Sequence, residues 1–186
     1  LDNTQIIENQ ILLDNVAANM AMAAAPIAIA IESGSLDMLQ PHALNLTASM
    51  AWQHPDIGDV NADVKGSGLL QTYELSVDGD IDNPDLGKQL ISAEASGDFD
   101  FIDFKQLSLI GDSGRIQAVG ELAWVPALST DLDIDAKNLN AAQFVPEWPT
   151  DITSKLQLKA ESVDGKLRGG LDIGSLVGTV RGHPLT

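Results

Sequence analysis

Acidic residues at alternate positions are the first candidates for chemistry. Asp131, Asp133 and Asp135 occupy every second position of Asp131–Lys137, "DLDIDAK", with Leu132 and Ile134 between them. Asp59–Lys65, "DVNADVK", repeats the pattern earlier in the chain. Such a row can collect a hard cation, or it can be the wet side of a strand that is apolar on its other side. In a strand the three carboxylates share a face at steps of about 6.5–7 Å. Calcium takes about six oxygens at about 2.3–2.6 Å, and one row at that spacing does not supply them. The solvated strand face is therefore the reading carried forward. Asp78–Gln89, "DGDIDNPDLGKQ", places Asp78, Asp80 and Asp82 as in a calcium loop. Asn83 stands where that loop needs glycine and Gln89 where it needs glutamate, so a proline-containing surface loop is expected instead.

Other chemistries find less support. His42, His54 and His183 each stand beside a proline, show no ligand spacing and read as loop residues. There is no cysteine, so disulfides, thiolate zinc sites and cysteine nucleophiles are excluded. No nucleophile elbow or phosphate loop is present. The expectation is a non-enzyme with no catalytic residues, no metal and no cofactor. The net charge of −17 disfavours nucleic acid and anionic lipid surfaces as partners.

Period-two alternation is what must position these residues. It runs through Ile27–Ile31, Leu44–Met50, Val60–Val64, Tyr73–Val77, Phe99–Phe101, Leu107–Leu109, Ile116–Leu122, Leu132–Ala136, Leu156–Ala160 and Leu171–Ile173. Each segment has one apolar and one polar face. Ser33-Gly34, Asp78-Gly79, Asp112-Ser113-Gly114, Asp164-Gly165 and Gly169-Gly170 read as the turns between them. The expected fold is all-β, a meander of antiparallel strands. Asn140–Val145 is the one short helical candidate, with Asn140 as N-cap. Hydrophobic residues make up 44 % of the 186 residues, with few aromatics, and the chain starts at Leu1, which reads as a piece of a longer protein. No apolar run is long enough to span a bilayer as a helix.

Ala48–Lys65 matches Gly120–Lys137 at a fixed offset. Trp52 overlies Trp124, and Asp59, Asp63 and Lys65 overlie Asp131, Asp135 and Lys137. Self-similarity without a large aromatic core suggests a stacked, elongated architecture. The tryptophans read as side chains closing the end of a strand layer. Alternation leaves two outcomes open: the apolar rows fill a closed sandwich, or they line an open trough.

Gly120–Ala160 resembles the TamB family of AsmA-like proteins. The order is a strand ending in an aromatic (Trp124), an alternating acidic strand (Asp131–Lys137), a short helical turn (Asn140–Val145), Pro146-Glu147-Trp148-Pro149, and a new strand (Leu156–Ala160). Gly174–Thr186 and Glu94–Gly111 also resemble the family's units. The resemblance covers Tyr73 to the end, while Leu1–Thr72 rests on the internal repeat. It implies an elongated antiparallel β-solenoid of U-shaped cross-section, a β-taco, with an apolar concave groove. Residues 1–72 would be a first repeat section, continuous with a second over residues 73–186. It also implies a periplasmic segment of a protein anchored in the inner membrane. That protein would conduct phospholipid between the two membranes and support outer-membrane protein assembly with TamA, an outer-membrane barrel contacted through other parts of the protein. The partners would be phospholipid acyl chains and outer-membrane protein clients. A strand-pairing scaffold for those clients, without lipid conduction, is the alternative. The groove lining expected from alternation is Ile29, Leu46, Met50, Val60, Val64, Val77, Phe99, Phe101, Leu107, Leu109, Ile116, Leu122, Leu132, Ile134, Leu156 and Leu158.

Overall fold

A computed structural model of the chain describes residues 4–7, 9–20, 26–85, 87–140, 142, 147, 149–163 and 166–185. Thirteen strands follow one another: β1 (Thr4–Ile7), β2 (Gln10–Met20), β3 (Ile27–Asp37), β4 (Ala43–His54), β5 (Gly58–Leu69), β6 (Thr72–Asn83), β7 (Gly87–Gly97), β8 (Phe101–Gly111), β9 (Gly114–Ala123), β10 (Ser129–Leu139), β11 (Thr150–Val163), β12 (Lys166–Val180) and β13 (His183–Leu185). All pair antiparallel in sequence order, making one thirteen-stranded sheet. The extensive contacts join only neighbouring strands, so the sheet is open and does not close on itself. The fold is all-β, and this long meander is consistent with the elongated β-taco type. Among the described residues there is no α-helix; Ala142, within the expected helical turn Asn140–Val145, has 3-10 conformation, and most of that segment lies outside the described residues. Asn140 Oδ1 does accept hydrogen bonds from the backbone N–H of Ala142 (3.0 Å) and Thr150 (3.4 Å), as a capping residue would. Trp148 and Asp164-Gly165 lie outside the described residues as well.

A single layer has consequences for burial. The accessible surface is 11834 Å², whereas a compact protein of this mass exposes about 8,600 Å². The buried apolar residues are small: Ala48, Val60, Ala62, Ala95, Ala118, Ala123 and Ala136. No large side chain is fully buried among the described residues. Large residues stand in rows and shield the small ones between them, and among the described residues no second sheet covers either.

Three expected turns lie inside strands. Asp78-Gly79 is in mid-β6, opposite Asp63 and Ala62 of β5. A methyl group on Gly79 would overlap the Asn61 carbonyl, so the glycine serves close strand packing and not a hairpin. Gly34 lies in β3 beside an irregularity between Ile31 and Ser33. Gly169-Gly170 lies within β12, opposite Ala160 and Lys159. Ser113 and Gly114 do sit at the β8–β9 hairpin, where Gly114 adopts φ +122°. The expected loop Asp78–Gln89 is instead the end of β6, a short turn and the start of β7. Of the histidines, His42 is in a turn, while His54 ends β4 and His183 begins β13.

The internal repeat takes a different form from a structural duplication. Its copies fall on β4–β5 and β9–β10, five strands apart. In a meander, an odd separation reverses strand direction. The shared pattern keeps its facing and loses its direction, so Trp52 and Trp124 lie toward opposite sides of the sheet.

Candidate functional site: an uncovered apolar face

Residues directly opposite across an antiparallel pair share a face, so the register sorts every side chain. One line crosses eleven strands, β2 to β12: Val16, Ile31, Ala48, Val64, Val77, Ala93, Leu107, Ala118, Ile134, Leu156 and Ile173. Every member is apolar. A neighbouring line on the same face reads Leu13, Gly34, Leu46, Gly66, Leu75, Ala95, Phe104, Gly120, Leu132, Leu158 and Leu171. Large and small residues alternate along much of it. Ten strand spacings make this apolar band about 48 Å long. Among the described residues no second layer lies over it, and at its β12 end Leu167, Leu171, Ile173 and Leu176 are 68, 54, 59 and 46 % exposed. Apolar surface on this scale marks an interaction or ligand-binding face.

The adjacent line on the other face is polar over most of its length: Ala17, Ala30, Ser49, Asp63, Asp78, Ser92, Ser108, Gln117, Asp135, Lys155 and Ser175. Asp131, Asp133 and Asp135 stand on this face; Asp131 and Asp133 are exposed, as the wet-side reading expects, while Asp135 is half-buried. Lys159 Nζ lies 2.9 Å from Asp131, and Gln157 Nε2 donates to the same carboxylate at 3.2 Å. The hydrogen bond from Lys159 to Asp131, and then the negative charge of that carboxylate, raise the Lys159 pKa above its ordinary value. Among the described residues, no group of carboxylates and imidazoles is arranged to hold a metal ion.

Shallow recesses lie on the polar side. A recess of about 680 Å³ is lined by stretches such as Ser33–Ser35, Asn45–Thr47 and Lys65–Ser67, whose outer members point to the polar face. A second, of about 500 Å³, includes Asp133–Asp135 and Lys155–Gln157 in the same arrangement. The apolar band is thus a surface filled by side chains, distinct from these recesses.

Fourteen of the sixteen residues selected by alternation fall on the apolar face. Val64, Val77, Leu107, Ile134 and Leu156 are in the first line, and Leu46, Leu132 and Leu158 in the second. Ile29, Met50, Leu109, Ile116, Val60 and Leu122 flank them on the same side. Phe99 and Phe101 are corrected. Phe99 is in the β7–β8 turn, 57 % exposed. Phe101 pairs with Ala123, placing it on the polar face, while Ile102 and Phe104 take the apolar side. The cause is an irregularity between Phe104 and Leu107 that inserts Lys105 as an extra residue in β8. Such a bulge switches the parity of alternation.

Sequence reasoning missed Val16, Ala93 and Phe104 on the apolar face. In β7 the facing residues that follow Ile91, Ala93 and Ala95, are small and lie between Ser92, Glu94 and Ser96, a weak signal. The turns, read in order, alternate between the two long sides of the sheet, here called rims. Trp124, just past β9, donates its Nε1–H to the Phe99 carbonyl at 2.6 Å and its backbone N–H to the Asp100 carbonyl at 2.9 Å, tying two turns of one rim together. Trp52, toward the other rim, meets His54 edge-on with ring centroids 4.7 Å apart.

Residues 23–186 match the family model described as TamB, N-terminal domain. The match reaches well upstream of Tyr73, where the resemblance in the sequence was read to begin. No solved structure matches the chain.

Proposed function

The chain belongs to the TamB family, and from that premise we propose that it is a section of a conduit carrying phospholipid between the inner and outer membranes. The family is inner-membrane-anchored and periplasm-spanning, with roles in lipid and outer-membrane protein assembly. Among the described residues no helix is long and apolar enough to cross a membrane, which suits a periplasmic part. TamA would be met through other parts of the protein. The observation that carries the reading is the line Val16 to Ile173, apolar at every strand and covered by no second layer. An acyl chain moved through water costs about 0.8 kcal/mol per exposed methylene. A continuous apolar band removes that cost along its length and needs no single specific residue.

The test is native mass spectrometry of the purified chain, combined with photo-crosslinking from Ile134 and from Asp133. Co-purifying phospholipid is expected, with crosslinks from position 134 and few from 133. No lipid, or equal crosslinking from both, would overturn the reading. One observation favours the second reading, a strand-pairing scaffold for outer-membrane protein clients. β13 pairs only with Gly178–Val180, leaving Lys166–Val177 of β12 with one free edge among the described residues. Such an edge can accept an added strand. Proline substitutions along it would then impair client assembly while lipid occupancy survives.

A further inference from the structure

The turns along the rims are predominantly acidic, although the strand ends beside them also carry bases such as Lys88, Arg115 and Lys166. Among the described residues outside the strands there are six acids, Asp56, Asp85, Asp98, Asp100, Asp112 and Glu147, against one base, Arg181. These residues lie on both sides of the apolar band: Asp98 and Asp100 on the rim of the β7–β8 turn, the others on the opposite rim. Asp56, Asp85, Asp100 and Asp112 are exposed. Between the rims, the lines of the apolar face offer almost nothing to a charged group. A phosphate laid on them would lose its hydration without a partner.

We propose that the acidic rims make the band selective by headgroup charge, favouring zwitterionic phospholipids that carry an ammonium group over phospholipids of net negative charge. This rests on the conduit reading. A lipid with its tails on the apolar face must hold its headgroup at the level of a rim, because that is where water and polar groups begin. There a terminal ammonium meets carboxylates, whereas a net-negative headgroup meets charge of its own sign. The same acids disfavour rim-to-rim contact with a second copy of the chain, which would set Asp98 and Asp100 against equivalent acids. They also disfavour resting on an anionic bilayer surface.

Exposed charges act within the screening length, about 30 Å at 0.01 M salt and about 3 Å at 1 M. The selectivity should therefore fade with ionic strength. The experiment offers the chain an equimolar mixture of phosphatidylethanolamine and phosphatidylglycerol with identical acyl chains. Bound lipid is read by native mass spectrometry at low and at high ammonium acetate. The expected preference for phosphatidylethanolamine is about three- to tenfold at low ionic strength, approaching parity at high ionic strength. The variant D56N/D85N/D100N/D112N should bind the same total lipid, with an unchanged melting curve, and lose the preference. Lipid bound without preference, or a preference that survives in the variant, overturns the headgroup inference and leaves the conduit standing. Absence of both lipids overturns the conduit reading and this inference with it.

Discussion

Leu132→Asp separates an open apolar face from a covered one. Leu132 stands on the apolar side of β10, opposite Gly120 of β9 and Leu158 of β11. Gly120 contributes no side chain, and Leu132 is only half-buried. Fully burying a leucine is worth about 1.5–3 kcal/mol; a half-buried one contributes about half of that. The new carboxylate can reach water from an uncovered face, so little desolvation is added. The expected loss of unfolding free energy is about 1–1.5 kcal/mol. Under a second layer the same change would leave an uncompensated buried charge, at a cost of about 3–5 kcal/mol. Urea unfolding of the lipid-free chain, followed by tryptophan fluorescence, measures the difference. Native mass spectrometry on the same sample should show reduced phospholipid occupancy. Phe101→Glu, on the polar face, should leave occupancy unchanged. A Leu132→Asp chain that fails to fold, or loses more than about 4 kcal/mol, would refute the uncovered face.

Three further outcomes are expected. Asp63 and Asp78 stand directly opposite on β5 and β6; Asp78→Lys should stabilise the chain by about 0.5–1 kcal/mol in thermal unfolding, less in high salt. Gly120→Ala should cost about 1–3 kcal/mol in urea unfolding, because Gly120 holds φ +133° and a methyl group there would overlap the Asp131 carbonyl. Tyr73, the single tyrosine, has its pKa raised above 10.0, first by burial and then by the charge of Asp98. A raised phenol pKa adds stability that is present below the unfolded value and is lost as pH climbs above 10.0 toward the folded value. Absorbance titration should show that upward shift, and Asp98→Asn should reduce it without abolishing it.

What could be read before any coordinates follows from which forces are local. Alternation is local: Leu132 and Ile134 must face away from Asp131, Asp133 and Asp135 wherever the strand goes. That is why fourteen of the sixteen residues selected by alternation share a face. The parity of alternation between distant segments is not local. Lys105 in β8 shifts it by one, so Phe101 and Leu107, both at odd positions, end on opposite faces. Glycine misled for a related reason. Beside Asp78 it looks like a hairpin turn, yet the missing side chain of Gly79 answers to Asn61 and Ala62 on the neighbouring strand, eighteen and seventeen residues away in sequence. Small residues such as Ala93 and Ala95 were unreadable because alternation is detected by contrast in size and polarity, and they offer little of either.

The sequence repeat carries the same lesson further. Its two copies keep facing, Met50 and Leu122 on the apolar side and Asp63 and Asp135 on the polar side, while strand direction reverses between them. A duplication that carried structure would have to span an even number of strands in a meander. The property common to both copies is therefore facing alone: acid outward, aliphatic inward, at every second position. Selection for a specific site would act on direction as well, because a ligand held by named side chains distinguishes one end of a strand from the other. A band that needs only uninterrupted apolar contact does not make that distinction. Sequences alike in facing and opposite in direction are thus what a surface contacting flexible hydrocarbon would tolerate. For the same reason, single conservative exchanges along the line, such as Val64→Ile or Leu156→Met, should leave lipid occupancy intact where a charge placed at either position reduces it.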